Sequence, residues 1–391
     1  MTVSVGHDQE LLEAVTTIAG EVAAVNADDV DRHARFPVET IDALRERRAL
    51  SALVPMTLGG GGVSFETVAQ CCFELGRHCG ASALVFAMHQ VQVASIVRHL
   101  EPDSWFESYL GEVAANQWLI ASVTSEIGTG GDLGRSVAAV TPSEGGLLSF
   151  EKQAPTVSYG AYADDLLTTL RRAPDAEPGD QVMVLTHQSQ TKLEPTGSWD
   201  VLGMRGTCSP GFVVKGEFPS EQVLSTPFAQ VAAESMVPVS HILWSHAWLG
   251  IAQDAFDRTR ALVRAQARRS PGEPPATAAR LSRLLSDLSM LRAEVESASR
   301  EFVTASEDPG RERLSTMAAA LRFNSLKIAA SERSAEICRT ALDICGIQGF
   351  KNDTPFSVGR HLRDTLSASL MVANERIHQT NAGLLLIAKE V

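Results

Sequence analysis

Thr124-Ser125-Glu126-Ile127-Gly128-Thr129-Gly130-Gly131-Asp132 and Leu202-Gly203-Met204-Arg205-Gly206-Thr207-Cys208-Ser209 decide how this chain is read. Both are glycine-rich turns set among short runs with β-branched residues. Such runs, at 118–123, 166–170, 182–186 and 212–214, alternate with turn residues. The polar stretch 171–181, with its Pro and Gly residues, reads as a loop between two strands. About six to eight short strands in this region point to a small barrel or sandwich. Gly128-Thr129-Gly130 lacks the strand-to-helix setting of a dinucleotide-binding fold, so it is not read as that signature.

On both sides of this region the period becomes helical. Leu11, Leu12, Val15, Ile18 and Val22 recur at three- and four-residue steps. Pro37 opens a further helix, because its missing N–H costs nothing in the first turn. The glycines at 59–62 break the chain before helices at 64–79 and 81–99, which Gly80 separates. Beyond residue 227 the spacing predicts long antiparallel helices at 231–268, 276–306 and 311–344, then a last helix at 358–389. Pro271, Pro274 and Pro275 separate the first two; Pro309-Gly310 separates the next pair. Long helices with short connections pack as an up-down bundle. The expected class is α+β: an α-helical domain at 1–115, a β-domain at 116–226 and a C-terminal four-helix bundle at 227–391.

Bulk properties narrow the partners. A length of 391 residues suffices for two or three domains with sizeable cores. A net charge of −13 opposes a nucleic-acid surface, since a phosphate backbone would be repelled. No apolar run approaches the length of a membrane span, and the first residues lack a signal-peptide pattern. Cys71, Cys72, Cys79, Cys208, Cys338 and Cys345 form no C-x-x-C pair and no zinc spacing. They read as reduced core thiols of a cytoplasmic protein, and no metal is expected.

The α–β–α order carries a resemblance. Val54-Pro55, Leu58-Gly59-Gly60 and Glu74-Leu75-Gly76, the two quoted turns, Phe218-Pro219, Val223-Leu224, Gly349-Phe350 and Leu362-Arg363-Asp364 stand in the order found in the acyl-CoA dehydrogenase family. The chain therefore resembles that family over nearly its whole length. The resemblance implies FAD, and a homodimer or homotetramer that shares it across an interface. It also implies oxidation of an acyl thioester on CoA or a carrier protein. A carboxylate would take the α-proton while the β-hydride goes to the flavin.

That carboxylate is missing from its usual place. Counting nine residues on from Arg363 reaches Val372, which cannot take a proton. The other position some members use falls near Ser240. The candidate replacements are Glu375, His89 and His241.

The resemblance also maps the cofactor site. Thr124, Ser125, Gly130 and Gly131 would offer backbone amides to the flavin and its diphosphate. Gly131 replaces the family serine there. Thr156 or Ser158 would supply a hydroxyl where the family tryptophan is absent. Arg268 is the counterpart of an arginine that reaches the neighbouring subunit's cofactor. Gly346 and Ile347 match a glycine pair, Ile347 crowding the diphosphate, and Asn374 adjoins the glutamate position.

Three functions follow. The first is a diverged dehydrogenase with a non-standard base, passing electrons to an electron-transfer flavoprotein. The second is a flavin-dependent monooxygenase on the same fold, served by a flavin reductase. The loss of the glutamate fits it, although the segment after Arg363-Asp364 lacks the histidine such enzymes often place there. The third is a non-catalytic partner subunit of a flavoprotein complex.

Overall fold

The computed structural model describes residues 2–269, 272, 274–306 and 310–388. The helix α1 (Thr2–Ile18) passes through a π-helical stretch, Ala19–Ala23, into α2 (Ala24–His33). The helix α3 (Val38–Glu46) starts directly after Pro37. Ser64 caps α4 (Phe65–His78), its hydroxyl accepting from the Thr67 amide at 3.2 Å. Then come α5 (Gly80–Arg98) and α6 (Trp105–Asn116). Among described helices α5 is long and apolar enough to cross a membrane, but 89% of that window is buried inside the protein. It is apolar all round because it is the central helix of the N-terminal part.

Seven strands follow: β1 (Ile120–Val123), β2 (Thr141–Pro142), β3 (Leu148–Ala154), β4 (Asp165–Arg171), β5 (Gln181–His187), β6 (Thr191–Pro195) and β7 (Phe212–Phe218). They form two sheets, β1-β4-β5 and β2-β3-β7-β6. Among the described strands β1 and β4 alone pair in parallel, Ile120 opposite Asp165, and an isolated parallel bridge joins Ala139 to Arg171. Alternate burial along β3 and β7 marks one face turned inward, whereas β4 and β5 are buried on both faces.

The C-terminal part opens with α7 (Phe228–Val231) and a π-helical turn, Ala232–Met236. The long helices are α8 (Val237–Arg269), α9 (Ala278–Ser306) and α10 (Met317–Cys345). The short α11 (Ile347–Phe350), α12 (Gly359–Leu366) and α13 (Asn374–Leu385) complete the chain. Two expectations need correction. The helix expected from 311 begins at Met317, where the Thr316 hydroxyl accepts from the Ala319 amide; 310–315 is a 3-10 stretch. The single helix expected at 358–389 is two helices. Val372 and Ala373 take φ values of 52° and 29°, which a continuing helix cannot hold. Pro271, Pro309 and Lys389 lie outside the described residues. All six cysteines are unpaired and buried.

Two contacts fix the domains against one another. The α4–α8 crossing is close because a Cβ at Gly76 would sit 2.3 Å from the Ala247 carbonyl oxygen, and one at Gly250 2.3 Å from that of Phe73. The 202–209 turn ties the sheets to both helical parts. The Met204 amide donates to Asp364 at 2.7 Å, Arg205 Nε donates to the Asp31 carbonyl at 2.8 Å, and Arg363 pairs with Asp31.

Candidate functional site

The glycine-rich loop at 124–132 is held from below by Glu126. Its carboxylate accepts from Ser136 Oγ at 2.6 Å and from the Ala138 amide at 2.5 Å. Lys152 Nζ lies 3.5 Å away and is itself fully buried, donating to the Thr169 carbonyl at 2.6 Å. Burial pushes that ammonium down to about 8, against the pull of Glu126. Glu126 is therefore a strut of the β-region. Above it, Gly128, Gly130, Gly131 and Asp132 stand exposed.

The loop does not offer all the amides expected of it. The Gly131 amide donates to Thr129 Oγ1 at 3.2 Å, and the Asp132 amide donates to the Thr129 carbonyl at 3.2 Å. Both are taken up inside the turn. Beside the loop, Ser125 Oγ donates to the Thr156 carbonyl at 2.5 Å, so two of the expected residues meet. Thr124, half-buried, precedes them. Ser158 Oγ accepts from Ser209 Oγ at 3.0 Å, and Ser209 pairs with Thr207 at 2.9 Å. This hydroxyl chain links the 155–158 segment to the second quoted turn. Pro155 is exposed. Ile347 is 66% exposed, and nothing lies within 4 Å of a Cβ at Gly346. Pro155 and Ile347 are therefore both surface residues. Arg268 is exposed in the last turn of α8, and the adjoining Ser270 and Pro271 are outside the described residues.

The base candidates separate cleanly. Glu375 is exposed in the first turn of α13, with no hydrogen bond or ion pair among the described residues. His89 is fully buried: Nε2 donates to the Leu50 carbonyl at 2.7 Å and Nδ1 accepts from the Ile120 amide at 3.0 Å. Burial pushes it down to about 4. With both nitrogens engaged it is a strut between α5, the 49–51 turn and β1, leaving none for a substrate proton. His241 is 3% exposed, with Nδ1 donating to the Phe323 carbonyl at 3.1 Å. Burial, and then the charge of Lys327, push it down to about 3. At the two base positions, Val372 is 41% exposed and the Ser240 hydroxyl donates to the Val237 carbonyl at 2.8 Å.

Asn374 is turned away from the loop. Its side-chain oxygen accepts from Lys327 Nζ at 2.6 Å, and its nitrogen donates to Ser331 Oγ at 3.0 Å and to Glu332 at 3.1 Å. It anchors α13 on α10, which leaves no polar atom of that side chain for a flavin. Burial lowers the Lys327 ammonium to about 8.

The sequence reading missed Arg376. Its guanidinium lies over the loop, with Nη1 3.1 Å and Nη2 3.5 Å from where a Gly131 Cβ would stand. It stands four residues after Val372, but the helix break at 372–373 leaves no local register that would have placed it. Lys327, a cation flanked by Leu326 and Ile328 and fully buried on α10, also went unremarked.

Known proteins agree with this architecture. Residues 6–139 match the family model "Acyl-CoA dehydrogenase, N-terminal domain", and residues 231–378 match "Acyl-CoA dehydrogenase, C-terminal domain". A probable FMNH2-dependent monooxygenase of Pseudomonas putida is 24% identical, over 93% of this chain and 91% of its own. A probable acyl-CoA dehydrogenase of Bacillus subtilis (strain 168) is also 24% identical, over 94% of each. The crystal structure of FMN-bound TdsC from Paenibacillus sp. A11-2 superposes with a TM-score of 0.82 at 20% identity, covering 96% of this chain and 97% of that one.

Proposed function

This chain belongs to the acyl-CoA dehydrogenase family, and from that premise we propose that it is a flavin-dependent monooxygenase rather than a thioester dehydrogenase. One observation carries the reading: neither position from which the family takes an α-proton holds an ionisable side chain. Val372 is apolar, and the Ser240 hydroxyl is bonded to its own helix. The replacements fail on geometry: Glu375 stands in solvent and His89 has no free nitrogen. A reaction that inserts oxygen needs no such proton transfer. The P. putida relative named as FMNH2-dependent supports the same choice.

The flavin we propose is FMN in place of the FAD expected from the resemblance. Gly130, Gly131, Pro155 and Thr156 are exposed, and the structural neighbour TdsC is FMN-bound, which favours the smaller flavin. When bound, reduced flavin supplies the electrons with which oxygen is activated. The chain's own residues position and shield. Ser125 and Thr156 present hydroxyls at the loop, and the chain Ser158–Ser209–Thr207 holds the 155–158 segment in place. Burial leaves His241 a weak base whose Nδ1 holds the Phe323 carbonyl, and Lys327 Nζ is held by Asn374.

Self-association completes the reading. Leu370, Leu386 and Ile387 are 78%, 88% and 66% exposed, and Phe350 is 70% exposed. So much exposed apolar surface near one terminus fits contact between copies of the chain.

Two arms test the reaction. Acyl thioesters added anaerobically to the FMN-loaded protein leave the visible flavin band unchanged. FMN reduced by a separate reductase and bound to the protein reoxidises in air at a rate different from free reduced FMN. Bleaching of the flavin by a thioester overturns the proposal in favour of the dehydrogenase.

A further inference from the structure

Arg376 is an unanswered cation. Its Nη1 is buried without a hydrogen-bond partner, and among the described residues no carboxylate pairs with it. A buried, unsatisfied donor is costly, and a charged one more so. A side chain kept in that state on an open loop is waiting for an acceptor. The acceptor must be small enough to reach a recessed guanidinium, and anionic enough to be held by it.

The loop opposite has been shaped to the same end. Gly131 has φ +80°, and a Cβ there would crowd Nη1 at 3.1 Å and Cζ at 3.4 Å. Gly130 leaves 3.9 Å to Nη2. Glycine at 131 and arginine at 376 are thus matched, because a side chain at 131 would press on the guanidinium. The Gly131 and Asp132 amides are already bonded within the turn. The positive charge at this point of the cleft comes from Arg376.

We propose that Arg376 binds the terminal phosphate of FMN against the bare loop at Gly130-Gly131, and so makes the site selective for a phosphorylated flavin. A guanidinium presents parallel N–H donors to two phosphate oxygens, a geometry an ammonium cannot reproduce. The inference rests on the flavin reading above, but concerns which residue holds the phosphate.

Fluorescence-quenching titrations with FMN and with riboflavin, which has the same ring and no phosphate, test it on the parent, Arg376→Ala and Arg376→Lys. The parent prefers FMN by roughly 10- to 100-fold, the worth of a charged hydrogen-bonded pair. Arg376→Ala removes that preference by weakening FMN alone, and Arg376→Lys restores part of it. Melting temperatures without flavin do not fall below the parent's value, since among the described residues the guanidinium has no hydrogen-bonded partner to lose. Gly131→Ser, which crowds the guanidinium while keeping it, lowers FMN affinity in the same direction. Undiminished FMN preference in Arg376→Ala overturns the inference and leaves the flavin reading intact. A parent that binds neither flavin overturns both.

Discussion

His89 and His241 look alike in sequence, each on an apolar helix and each placed to act as a base. Side-chain surroundings divide them from that role. Both are buried, and burial pushes them down to about 4 and about 3; His246, donating to Ser299, is pushed down to about 3 as well. A folded-state value below the unfolded one favours the fold above the unfolded pKa, near 6.5, and the advantage is lost as pH falls through the folded value. The urea midpoint therefore drops between pH 6.5 and 4. His89→Gln makes that slope shallower, by roughly 3 kcal/mol over the window. Asp364 acts with the opposite sign. Burial raises it to about 6, while Arg360 and the Met204 amide oppose the rise. Its favourable contribution is present at low pH and is lost as pH rises through 6. Asp364→Asn does not titrate and keeps an oxygen for the Met204 amide. Its stability relative to the parent rises by about 3 kcal/mol between pH 4 and 6, read by denaturant titration at each pH. An unchanged difference across that window contradicts the assignment.

At the scale of elements, the long helices were legible because apolar spacing and proline breaks persist over many residues. The strands were legible at 166–170 and 182–186, where β-branched and leucine residues run on. What failed is the turn at 367–373. Its residues keep a helical spacing, yet Ser367 Oγ bonds back to the Asp364 carbonyl at 2.6 Å and Asn374 is drawn onto α10. The second is a tertiary contact, to a residue 47 positions earlier, that no local pattern encodes. The same limit explains Arg376, whose role depends on a loop more than 240 positions earlier in the chain. The α4–α8 crossing gives a sharper test of packing. Gly250→Ala drives a methyl into the Phe73 carbonyl at 2.3 Å, with backbone on both sides and nothing flexible to yield. Thermal or urea unfolding should show a loss of about 3 kcal/mol, the upper end for overpacking. A loss near zero would mean that the two helices slide apart freely.

Over the whole molecule the family architecture is kept, and on the proposed reading the chemistry differs. The helices, both sheets and the 202–209 turn with its Asp364 contact are in place. Val372 stands where the resemblance places the carboxylate, and Arg376 lies over the loop at Gly130-Gly131. The exposed residues near the C-terminus belong to the same scale. Leu386→Asp puts a charge into the surface proposed to pair with another copy, so the mass seen by light scattering falls toward that of one chain. An unchanged mass places the contact elsewhere. The central claim is that no group in this cleft takes a proton from the α-carbon of a thioester. Deuterium exchange reads that step alone, before any electron moves. FMN-loaded protein is incubated without oxygen in D2O with saturated acyl-CoA thioesters, and the α-carbon is examined by mass spectrometry. The account predicts no label above the protein-free control; enzyme-dependent deuterium at that carbon would contradict it.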